Sequence, residues 1–527
     1  MPLSLNTPGT YINEINGFPD SVVPVATAVP AFIGYLPRAD YGGKSYYGKP
    51  VRISSLAEFA AYFLLPDPPA PADPVQQYSP QYYLLPQAAQ PACGEYLQIN
   101  GQFQSVLPDP DTIYQLYNAV RWFYANGGGT AYIVAVGPYG PPSGLPLTHP
   151  VQRAVNGNIR LADLLGGLQA LNSEEEPTLY LCPDAVQLSD ADNAAYMQAA
   201  LLQASTLGSC MCLLDVPSGH QPEPQRYALD IAAFRHNTGQ QGLDYGAAYY
   251  PYVTTSVMQP GEIDFTNLFG GDASQLLPLL NPPSAPNADA AGILAQMQLP
   301  AAQRTQSNSQ LNNALVAASP VYAQILTQVT AVANTLPPAS AMAGVYTVND
   351  ADVGVWHSPA NVGLAGAVAL PVKLSDAQHA ELNVDAVSGK SIDAIRAFAG
   401  QGILVWGART LDGNSQDWRY VSVRRTIIMV EQSIKLSLRA FAFSPNDANT
   451  WAAVKSMIDS YLTVMWEQGG LQGAKPTDAF SVAVGLGSTM TADDILNGYM
   501  QATVQVAVVH PAEFIVMSFK QQMAQEG

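Results

Sequence analysis

Apolar and polar residues alternate with a helical period through much of the last third of the chain. A helix is predicted over about 423–439 because apolar residues repeat there every three or four positions. A second helix is predicted from about Asn446-Asp447, where the aspartate is a suitable N-cap. Residues 491–494 (Thr-Ala-Asp-Asp) predict a capping box that opens a short helix. The apolar faces of the two long helices consist of Ile427, Val430, Ile434 and Leu438, and of Trp451, Val454, Ile458, Leu462 and Met465.

Helical and strand patterns also alternate between residues 111 and 253. The apolar spacing after residue 111 predicts a helix that ends at the glycines 127–129, followed by a buried strand at 131–136. The order then repeats as helix 161–171, strand 178–183, helix 190–205, strand 210–216 and a strand candidate at 247–253. Farther on, a helix is predicted from Ser391 to the glycines 400–402, and a strand at 403–406. This alternation indicates the α/β class, here a mixed α+β chain with several domains.

Two segments interrupt this order. Residues 66–110 are rich in proline, glutamine and tyrosine, and we predict a surface insertion without regular structure. Residues 257–337 are rich in alanine, glutamine, asparagine and proline, and we predict an outer decoration with helices near 288–298 and 321–336. The predicted organisation is an N-terminal strand arm (1–25), a core (26–155 and 341–500), an α/β domain with the second insertion (156–340) and a C-terminal strand arm (501–527).

Both ends of the chain have strand patterns. Residues 10–15 alternate in side-chain type, whereas 22–33 are apolar but interrupted by two prolines, which suits an edge or irregular strand. Alternating strands are also predicted at 503–509 and 513–519. Terminal strands with free edges pair readily with another chain, although pairing within the same chain fits the pattern equally well. The residues predicted for pairing between subunits are Tyr11, Ile12, Ile15, Phe514, Val516 and Phe519.

The composition permits a subunit of a larger assembly. The 527 residues are 48% hydrophobic and only 12% charged, and this length allows several domains with a substantial core. A low charge density suits a protein that buries much of its surface against copies of itself, because interface cores are depleted of charge. A soluble protein with long alanine- and glutamine-rich insertions has a similar composition, so composition alone does not decide.

Charge, cysteine content and the chain start narrow the choice of partners and compartment. The net charge of −19 argues against nucleic acid as the main partner, because nucleic-acid binding needs a basic face. The four cysteines are too few for a disulfide framework, and three of them (Cys182, Cys210 and Cys212) lie in apolar strand patterns typical of buried thiols. The first residues lack a secretion signal, and no apolar run of about 18 residues is present to span a membrane. We therefore expect assembly in the cytoplasm without membrane insertion.

The sequence contains no complete catalytic or cofactor motif. Gly-Lys-Ser occurs at 389–391 and at 43–45, but Val384 and Arg38 stand where a phosphate-binding loop needs its first glycine. The glycines 127–129 follow a predicted helix and precede a strand, which is the reverse of the dinucleotide-binding order. We therefore predict a protein that is not an enzyme and that uses no cofactor and no metal.

One segment of this acidic chain is basic. Residues 391–440 contain seven basic and four acidic side chains, and three arginines cluster at the start of the long predicted helix. Ordinary solvation and internal ion pairs are one explanation for the cluster. The other is docking onto an acidic partner, where complementary charge sets the register of the contact. The residues predicted for that contact are Arg419, Arg424, Arg425 and Lys435.

The last third of the chain resembles the contractile tail sheath family. The most recognisable block is 400–451, GQGILVWGARTLDGNSQDWRYVSVRRTIIMVEQSIKLSLRAFAFSPNDANTW, and 469–485 and 510–522 match the closing pattern of the family. Upstream, 341–361 and 8–15 also fit, so the resemblance covers about half the chain in collinear order. The chain departs from the family pattern at two places, with His510 in place of arginine and His357-Ser358 in place of Lys-Ala, and family contacts are not carried over to those positions. The C-terminal sequence is most similar to the sheaths of extracellular or membrane-anchored injection systems.

The resemblance implies a structural role. Subunits of this family stack as rings around a rigid inner tube, on a baseplate and below terminal cap proteins. The N- and C-terminal arms are expected to add strands to neighbouring subunits, and the basic residues become candidates for inner-tube contact. The sheath then contracts without nucleotide and drives the tube into a target. The mature particle is expected to be released, membrane-anchored or part of a virion.

Three alternatives stay open at this point. The chain could be the sheath of a phage tail or of a type VI secretion system, although type VI sheaths use two different chains and this one carries both arms. An α/β hydrolase-like enzyme would need an acid–base pair in a deep pocket, since the fold alone does not imply a function. A surface-array protein would need an export signal.

Overall fold

A nine-stranded sheet organises the fold. In the computed structural model, residues 22–64, 79–222 and 226–514 are described. The strands are β1 (Pro30–Gly34), β2 (Asp40–Tyr41), β3 (Lys44–Ser45), β4 (Val51–Ile53), β5 (Tyr82–Gln87), β6 (Tyr96–Ile99), β7 (Gln102–Pro108), β8 (Ala131–Ala135), β9 (Leu179–Leu181), β10 (Met211–Asp215), β11 (Gly246–Tyr250), β12 (Val253–Thr255), β13 (Thr335–Leu336), β14 (Val362–Gly363), β15 (Ala367–Ala369), β16 (Asp393–Phe398), β17 (Gly402–Val405), β18 (Phe480–Val484) and β19 (Ala502–Val506). The large sheet has the strand order β14-β17-β16-β11-β10-β9-β1-β8-β4. The strands from β16 to β8 run parallel, whereas β4 and β17 pair antiparallel with their neighbours.

Helices connect and cover these strands. The alternation predicted between residues 111 and 253 is confirmed, because helices separate β8, β9 and β10. Asp447 caps the long C-terminal helix as predicted, and Thr491 forms the predicted capping box. The helices are α1 (Leu56–Phe63), α2 (Leu116–Ala125), α3 (Leu161–Ala170), α4 (Asp190–Leu207), α5 (Tyr227–Asn237), α6 (Leu277–Leu280), α7 (Ala288–Met297), α8 (Asn308–Ala318), α9 (Pro320–Ala333), α10 (Ala339–Asp352), α11 (Asp376–Asn383), α12 (Val421–Leu438), α13 (Ala448–Glu467), α14 (Pro476–Ala479) and α15 (Ala492–Leu496).

Strand β1 lies inside the sheet, so the prediction of an edge or irregular strand is wrong. It pairs in parallel with β8 on one side and β9 on the other, and all of its residues are buried. Pro30 is its first residue, a position where a missing backbone N–H breaks no regular pairing. The apolar run 22–33 therefore reflects a fully buried parallel strand rather than an edge.

Residues 82–108 form a three-stranded sheet, so the prediction of irregular structure is wrong for this part of 66–110. β7 lies between β5 and β6 and pairs antiparallel with both. Asn100 and Gly101 join β6 to β7 with φ angles of 51° and 81°, and two positive φ angles are the requirement of a tight hairpin turn. The Asn100-Gly101 pair is a local signal for a hairpin turn. The proline-rich residues upstream favoured the prediction of irregular structure instead.

Residues 393–398 form strand β16, so the helix predicted from Ser391 is wrong. The strand pairs in parallel with β11 and antiparallel with β17. Gly400 and Gly402 have φ angles of 77° and 88° and form the turn between β16 and β17 rather than a helix end. A short apolar run carries no clear period, and pairing with two neighbouring strands decides its conformation.

The carboxyl ends of β1 and β9 meet where the chain changes direction across the sheet. After β1 the chain adds β4 and β8 on one side, and after β9 it adds β10 and β11 on the other. Doubly wound sheets hold ligands in the crevice at such a point. Here Asp184 fills the crevice, and its carboxylate accepts hydrogen bonds from the amides of Tyr35 (2.7 Å), Gln115 (2.6 Å) and Leu116 (3.2 Å). The carboxylate thus lies at the N-terminus of α2, where a ligand anion lies in other folds of this kind.

The segment predicted as a decoration is largely helical. α7 and α9 match the helices predicted near 288–298 and 321–336, and α8 lies between them in the chain. Tyr322 is fully buried, and its hydroxyl donates to Asn312 Oδ1 over 2.6 Å. The outer location of this segment stays a prediction.

The described residues divide into two compact units. The smaller holds 22–25 and 426–509, and the larger holds all the others. This division differs from the predicted segments, and strands from both the predicted core and the predicted α/β domain share the large sheet. Among the described residues, no single helix is long and apolar enough to cross a bilayer. Helices α8 and α9, which meet at a bend of 118°, reach that length and apolar content only when they are taken together.

Candidate assembly surfaces

A two-stranded sheet in the smaller unit presents open strand edges. β18 and β19 pair antiparallel from Phe480 opposite Val506 to Val484 opposite Ala502. Within the described part of the chain this sheet has no third strand. The outer edges of such a pair carry backbone N–H and C=O groups that another strand can bind. The prediction of a strand beginning near Thr503 is confirmed, and its pairing in the described residues is with its own chain.

Helix α13 supports this strand pair. It packs on β18 through an apolar face at helical spacing. Val482 of β18 is also buried. The face that the sequence predicted is confirmed except for Trp451, which is only half-buried and donates from Nε1 to Asn446 Oδ1 over 2.7 Å. The buried residues of α13 are Thr450, Val454, Met457, Ile458, Tyr461, Leu462 and Met465.

Glu513 attaches the C-terminal segment to the larger unit. Its Oε1 accepts from Arg409 Nε (3.0 Å) and Asn383 Nδ2 (2.6 Å), and its Oε2 accepts from the Tyr420 hydroxyl (3.2 Å). The Arg409 side chain is only 4% exposed, and its Nη1 donates to the carbonyls of Asn383 and Gly413. A charged pair with every polar group satisfied is among the stronger polar contacts available to a protein.

The electrostatics of this contact favour the ionised carboxylate. Burial alone would raise the pKa of Glu513, but the hydrogen bonds from Arg409 and Asn383 outweigh burial and lower that pKa below its usual value. Charge-assisted hydrogen bonds to the ionised form have this effect on a carboxyl group. The contact therefore stays intact at neutral pH.

Arg425 forms a second buried contact, at the N-terminal side of β1. Its Nη1 donates to Asp350 Oδ1 over 2.9 Å, and its Nη2 donates to the carbonyl of Thr27 over 2.9 Å. The Thr27 hydroxyl donates in turn to Asp350 Oδ2 over 2.5 Å. The guanidinium also lies 4.4 Å from the ring centre of Tyr346, a cation–π distance. Arg425 and Asp350 therefore hold Thr27 through both its side chain and its backbone.

Arg424 makes an ion pair of its own. The guanidinium pairs with Asp244 and lies 3.6 Å from the ring centre of Trp418 and 4.3 Å from that of Tyr245. Its side chain is 7% exposed, and that of Arg425 is 3% exposed. Both arginines therefore face inward, as internal ion pairs would require, and offer no free charge to a partner in this conformation.

The other two residues predicted for the tube contact are more accessible. Lys435 is exposed on α12. Arg419 is half-buried, and its Nε donates to the carbonyl of Ser415 over 2.8 Å. The tube contact stays a prediction, and it rests on these two residues.

Most of the predicted arm residues lie outside the described residues. This applies to Tyr11, Ile12, Ile15, Val516 and Phe519. Phe514 is described and is 72% exposed, and 510–514 form no strand among the described residues. Sequence reasoning missed Asp350 and Glu513, because each binds an arginine that is distant in sequence.

One cavity of the larger unit contains a thiol and an imidazole whose pKa values are shifted away from nucleophilic activation. A cavity of about 340 Å³ is lined by Cys93, His220, Gln221 and Tyr252, among others. Burial raises the pKa of the Cys93 thiol and lowers that of His220 to about 4, which keeps both groups neutral. An activated thiolate–imidazolium pair requires the opposite shifts. Among the described residues, no group of histidine, cysteine and carboxylate side chains could hold a metal ion.

Two of the three cysteines predicted to be buried thiols are buried, whereas Cys182 is only half-buried. All four cysteines are free, and Cys210 and Cys212 are buried in and beside β10. Burial raises the pKa of Cys210 to about 12 and that of Cys212 well above its usual value. Thiols of this kind act as small apolar groups in a core.

Comparison with known sequences identifies the C-terminal part. The family described as the phage tail sheath C-terminal domain matches residues 414–522, which include α12, α13 and the β18–β19 pair. The tail sheath protein of Vibrio phage KVP40 is 30% identical over 139 residues, which make up 26% of this chain and 20% of that protein. The match thus spans about a fifth of the length of the curated relative.

Solved structures extend the similarity to the whole chain. A chain in the contracted helical sheath of the anti-feeding prophage is 26% identical, with a TM-score of 0.56, and the match covers 98% of this chain and 100% of that one. A chain in the contracted sheath complex of the extracellular contractile injection system PVC has the same fold, with 23% identity, a TM-score of 0.57 and 99% of each chain covered. The C-terminal domain match and the full-length likeness agree: residues 414–522 match the phage tail sheath C-terminal domain, and the whole chain is similar in sequence and fold to a sheath chain of the anti-feeding prophage.

Proposed function

We propose that this protein is the structural sheath subunit of a contractile injection system. It polymerises as stacked rings around an inner tube and contracts to drive the tube into a target. The observation that carries this proposal is the likeness, over 98% of the chain at 26% identity, to a chain of a contracted helical sheath. A likeness confined to one domain would leave the function of the remainder open, whereas this one includes both units.

Strand exchange between subunits is the proposed means of polymerisation. The N-terminal arm (1–25) and the C-terminal arm (501–527) add strands to neighbouring subunits by β-augmentation. The open edges of the β18–β19 pair support this step, because a two-stranded sheet is marginal by itself and gains from a further strand. Tyr11, Ile12, Ile15, Phe514, Val516 and Phe519 are the arm residues proposed to pair.

The proposed partners follow from the assembly. They are further copies of this chain, a baseplate, an inner tube protein and a terminal cap protein, without nucleic acid and without direct membrane insertion. Arg419 and Lys435 are proposed to contact the inner tube. We propose assembly in the cytoplasm and a mature particle that is released, membrane-anchored or part of a virion.

A purely mechanical role, without enzymatic activity, is part of the proposal. Asp184 supports it, because this carboxylate fills the crevice in which related sheets bind ligands. The neutral state favoured for Cys93 and His220 supports it too, because neither group is activated for nucleophilic catalysis.

Electron microscopy of the purified full-length chain tests the proposal. We expect tubes from the wild type, and soluble folded subunits without tubes after deletion of 1–15 or of 510–527. The far-ultraviolet circular dichroism of both truncated chains should stay close to that of the wild type, because the nine strands of the large sheet lie between Pro30 and Val405. Wild-type-like tubes from both truncated chains would refute strand exchange, and the absence of tubes from the wild type in the presence of an inner tube and a baseplate would refute the sheath function itself.

A further inference from the structure

Two buried arginine contacts lie beside the positions where the chain passes between the two units. The chain crosses from one unit to the other after Val25, after Arg425 and after Val509. Arg425 is itself the last residue before one crossing, and it binds Thr27, which follows another. Arg409 binds Glu513, which follows the third. Both contacts are formed entirely within the larger unit.

We propose that these contacts are anchors that fix the roots of both terminal arms to the subunit that owns them. The N-terminal anchor consists of Arg425, Asp350 and Thr27, and the C-terminal anchor of Arg409, Asn383, Tyr420 and Glu513. This inference rests on the proposed sheath function, because an anchored arm matters only where the arm joins subunits. It also assigns Arg409 and Arg425, two residues of the basic segment, to holding the arms rather than the tube.

The C-terminal root depends on polar contacts. None of residues 510–514 is buried, and Phe514 is 72% exposed. Apolar burial therefore contributes little to holding this segment. Glu513 supplies a carboxylate that accepts from three side chains, of which Arg409 is almost completely buried. Charge-assisted bonds to a buried arginine are strong and directional, so they fix the position of the backbone as well as its attachment.

The N-terminal root has the same character. None of residues 23–28 is buried, whereas Val22 and Val29 on either side of them are. Thr27 is held at its hydroxyl by Asp350 and at its carbonyl by Arg425 and by Thr178 Oγ1, which donates over 2.8 Å. The segment is thus fixed by three hydrogen bonds to one residue, immediately before the chain enters the sheet.

Anchored roots have a mechanical consequence. During contraction, subunits move as rigid bodies and repack their faces, so a pull on an exchanged strand reaches the subunit through the root of its arm. A root held only by exposed side chains would peel away from the sheet. A root held by a buried guanidinium transmits the pull to the core, because the interior is closely packed and resists deformation.

Arg424 provides a matched control. It precedes Arg425 directly, is similarly buried and pairs with Asp244. The side-chain partners of Arg424 are Asp244, Tyr245 and Trp418, none of which lies in 22–29 or 510–514. Loss of the Arg424 pair should therefore reproduce the destabilisation expected from loss of a buried ion pair without freeing an arm.

The test replaces each pair by apolar residues of similar size, so that no buried charge is left without a partner. The variants are Arg409→Met with Glu513→Met, Arg425→Met with Asp350→Leu, and the control Arg424→Met with Asp244→Leu. Tubes are counted by electron microscopy at equal protein concentration. We expect at least tenfold fewer tubes from each anchor variant and a change of less than twofold from the control, with folded subunits in all three.

Limited proteolysis of the unassembled subunit with elastase, which cleaves after small residues, gives a readout that does not need tubes. Cleavage after Ala512 should be at least tenfold faster in the Arg409–Glu513 variant than in the control, and cleavage after Ala26 or Ala28 in the Arg425–Asp350 variant, because a freed segment enters the protease more readily. Anchor variants that match the control in both tube number and cleavage rate would overturn the inference, as would an equal loss of tubes from all three variants. If the wild type forms no tubes even with an inner tube and a baseplate present, the sheath function fails, and the cleavage rates alone decide whether the anchors exist.

Discussion

The carboxylate of Asp184 accepts a hydrogen bond of 2.7 Å from the backbone amide of Tyr35, which joins the loop after β9 to the end of β1. The same carboxylate accepts from the first amides of α2. A single buried side chain therefore connects two strands and a helix at the point where the chain reverses direction across the sheet. A carboxylate suits this place because the N-terminus of a helix stabilises negative charge.

Replacement of Asp184 should destabilise the larger unit. In Asp184→Ala three buried amides lose their acceptor, and we expect the free energy of unfolding to fall by about 3 kcal/mol, because each buried donor left unpaired costs about 1–3 kcal/mol and small shifts relieve part of that cost. Asp184→Asn retains one acceptor oxygen and should lose less. Urea unfolding of the unassembled subunit measures the difference, and equal stability of Asp184→Ala and the wild type would contradict this role.

The pH dependence of stability follows from the same side chain. Burial raises the pKa of Asp184 to about 6, against the opposing effect of its three amide donors. Because the folded pKa lies above the unfolded value of about 4, the folded state binds the proton more tightly, and this contribution is lost as the pH rises from about 4 to 6. The wild type should therefore lose up to about 3 kcal/mol more than Asp184→Asn over this range. Parallel urea unfolding curves at several pH values test this, and identical slopes for both proteins would contradict it.

Two adjacent glycines of α3 should respond in opposite directions to the same substitution. A Cβ at Gly166 meets open space, so Gly166→Ala should stabilise the helix by about 0.5–1 kcal/mol. A Cβ at Gly167 would lie 2.6 Å from Val136 Cγ1 and 2.7 Å from Ile33 Cγ2, so Gly167→Ala should destabilise by about 1–3 kcal/mol. Thermal unfolding of both variants compares them directly. A shift of the same sign for both would show that α3 packs on the sheet differently from the structure described.

Local signals in the sequence predicted much of the secondary structure. Asp447 precedes an apolar helical period and caps α13 as expected, because capping and amphipathic spacing are encoded within a few residues. Local apolar periodicity also predicted the alternation of strands and helices in the large sheet. The Asn100-Gly101 pair is an equally local signal for a hairpin, although the proline-rich residues around it favour irregular structure.

Contacts between distant residues could not be predicted in this way. Arg409 and Glu513 lie 104 positions apart, and Arg425 and Asp350 lie 75 apart. No local pattern marks Asp350 as the partner of Arg425. The sequence therefore shows a cluster of basic residues but does not show whether their side chains point into the protein or toward a partner. The helix predicted from Ser391 was wrong for the same reason. Residues 393–398 form β16 because β11 and β17 lie beside them and pair with them.

Arg419 and Lys435 remain the predicted contacts to the inner tube, and reversal of their charge tests them. The full-length variant Arg419→Glu with Lys435→Glu should bind a purified inner tube about tenfold more weakly at low ionic strength, because two attractive charges become repulsive. The difference should shrink at high salt, because the screening length falls from about 30 Å at 0.01 M to about 3 Å at 1 M. Lys44→Glu with Lys49→Glu is the matched control, since both lysines are exposed and lie outside the basic segment. Co-sedimentation with the tube at two salt concentrations measures the effect, and an equal loss in the control would assign it to overall charge rather than to these two residues.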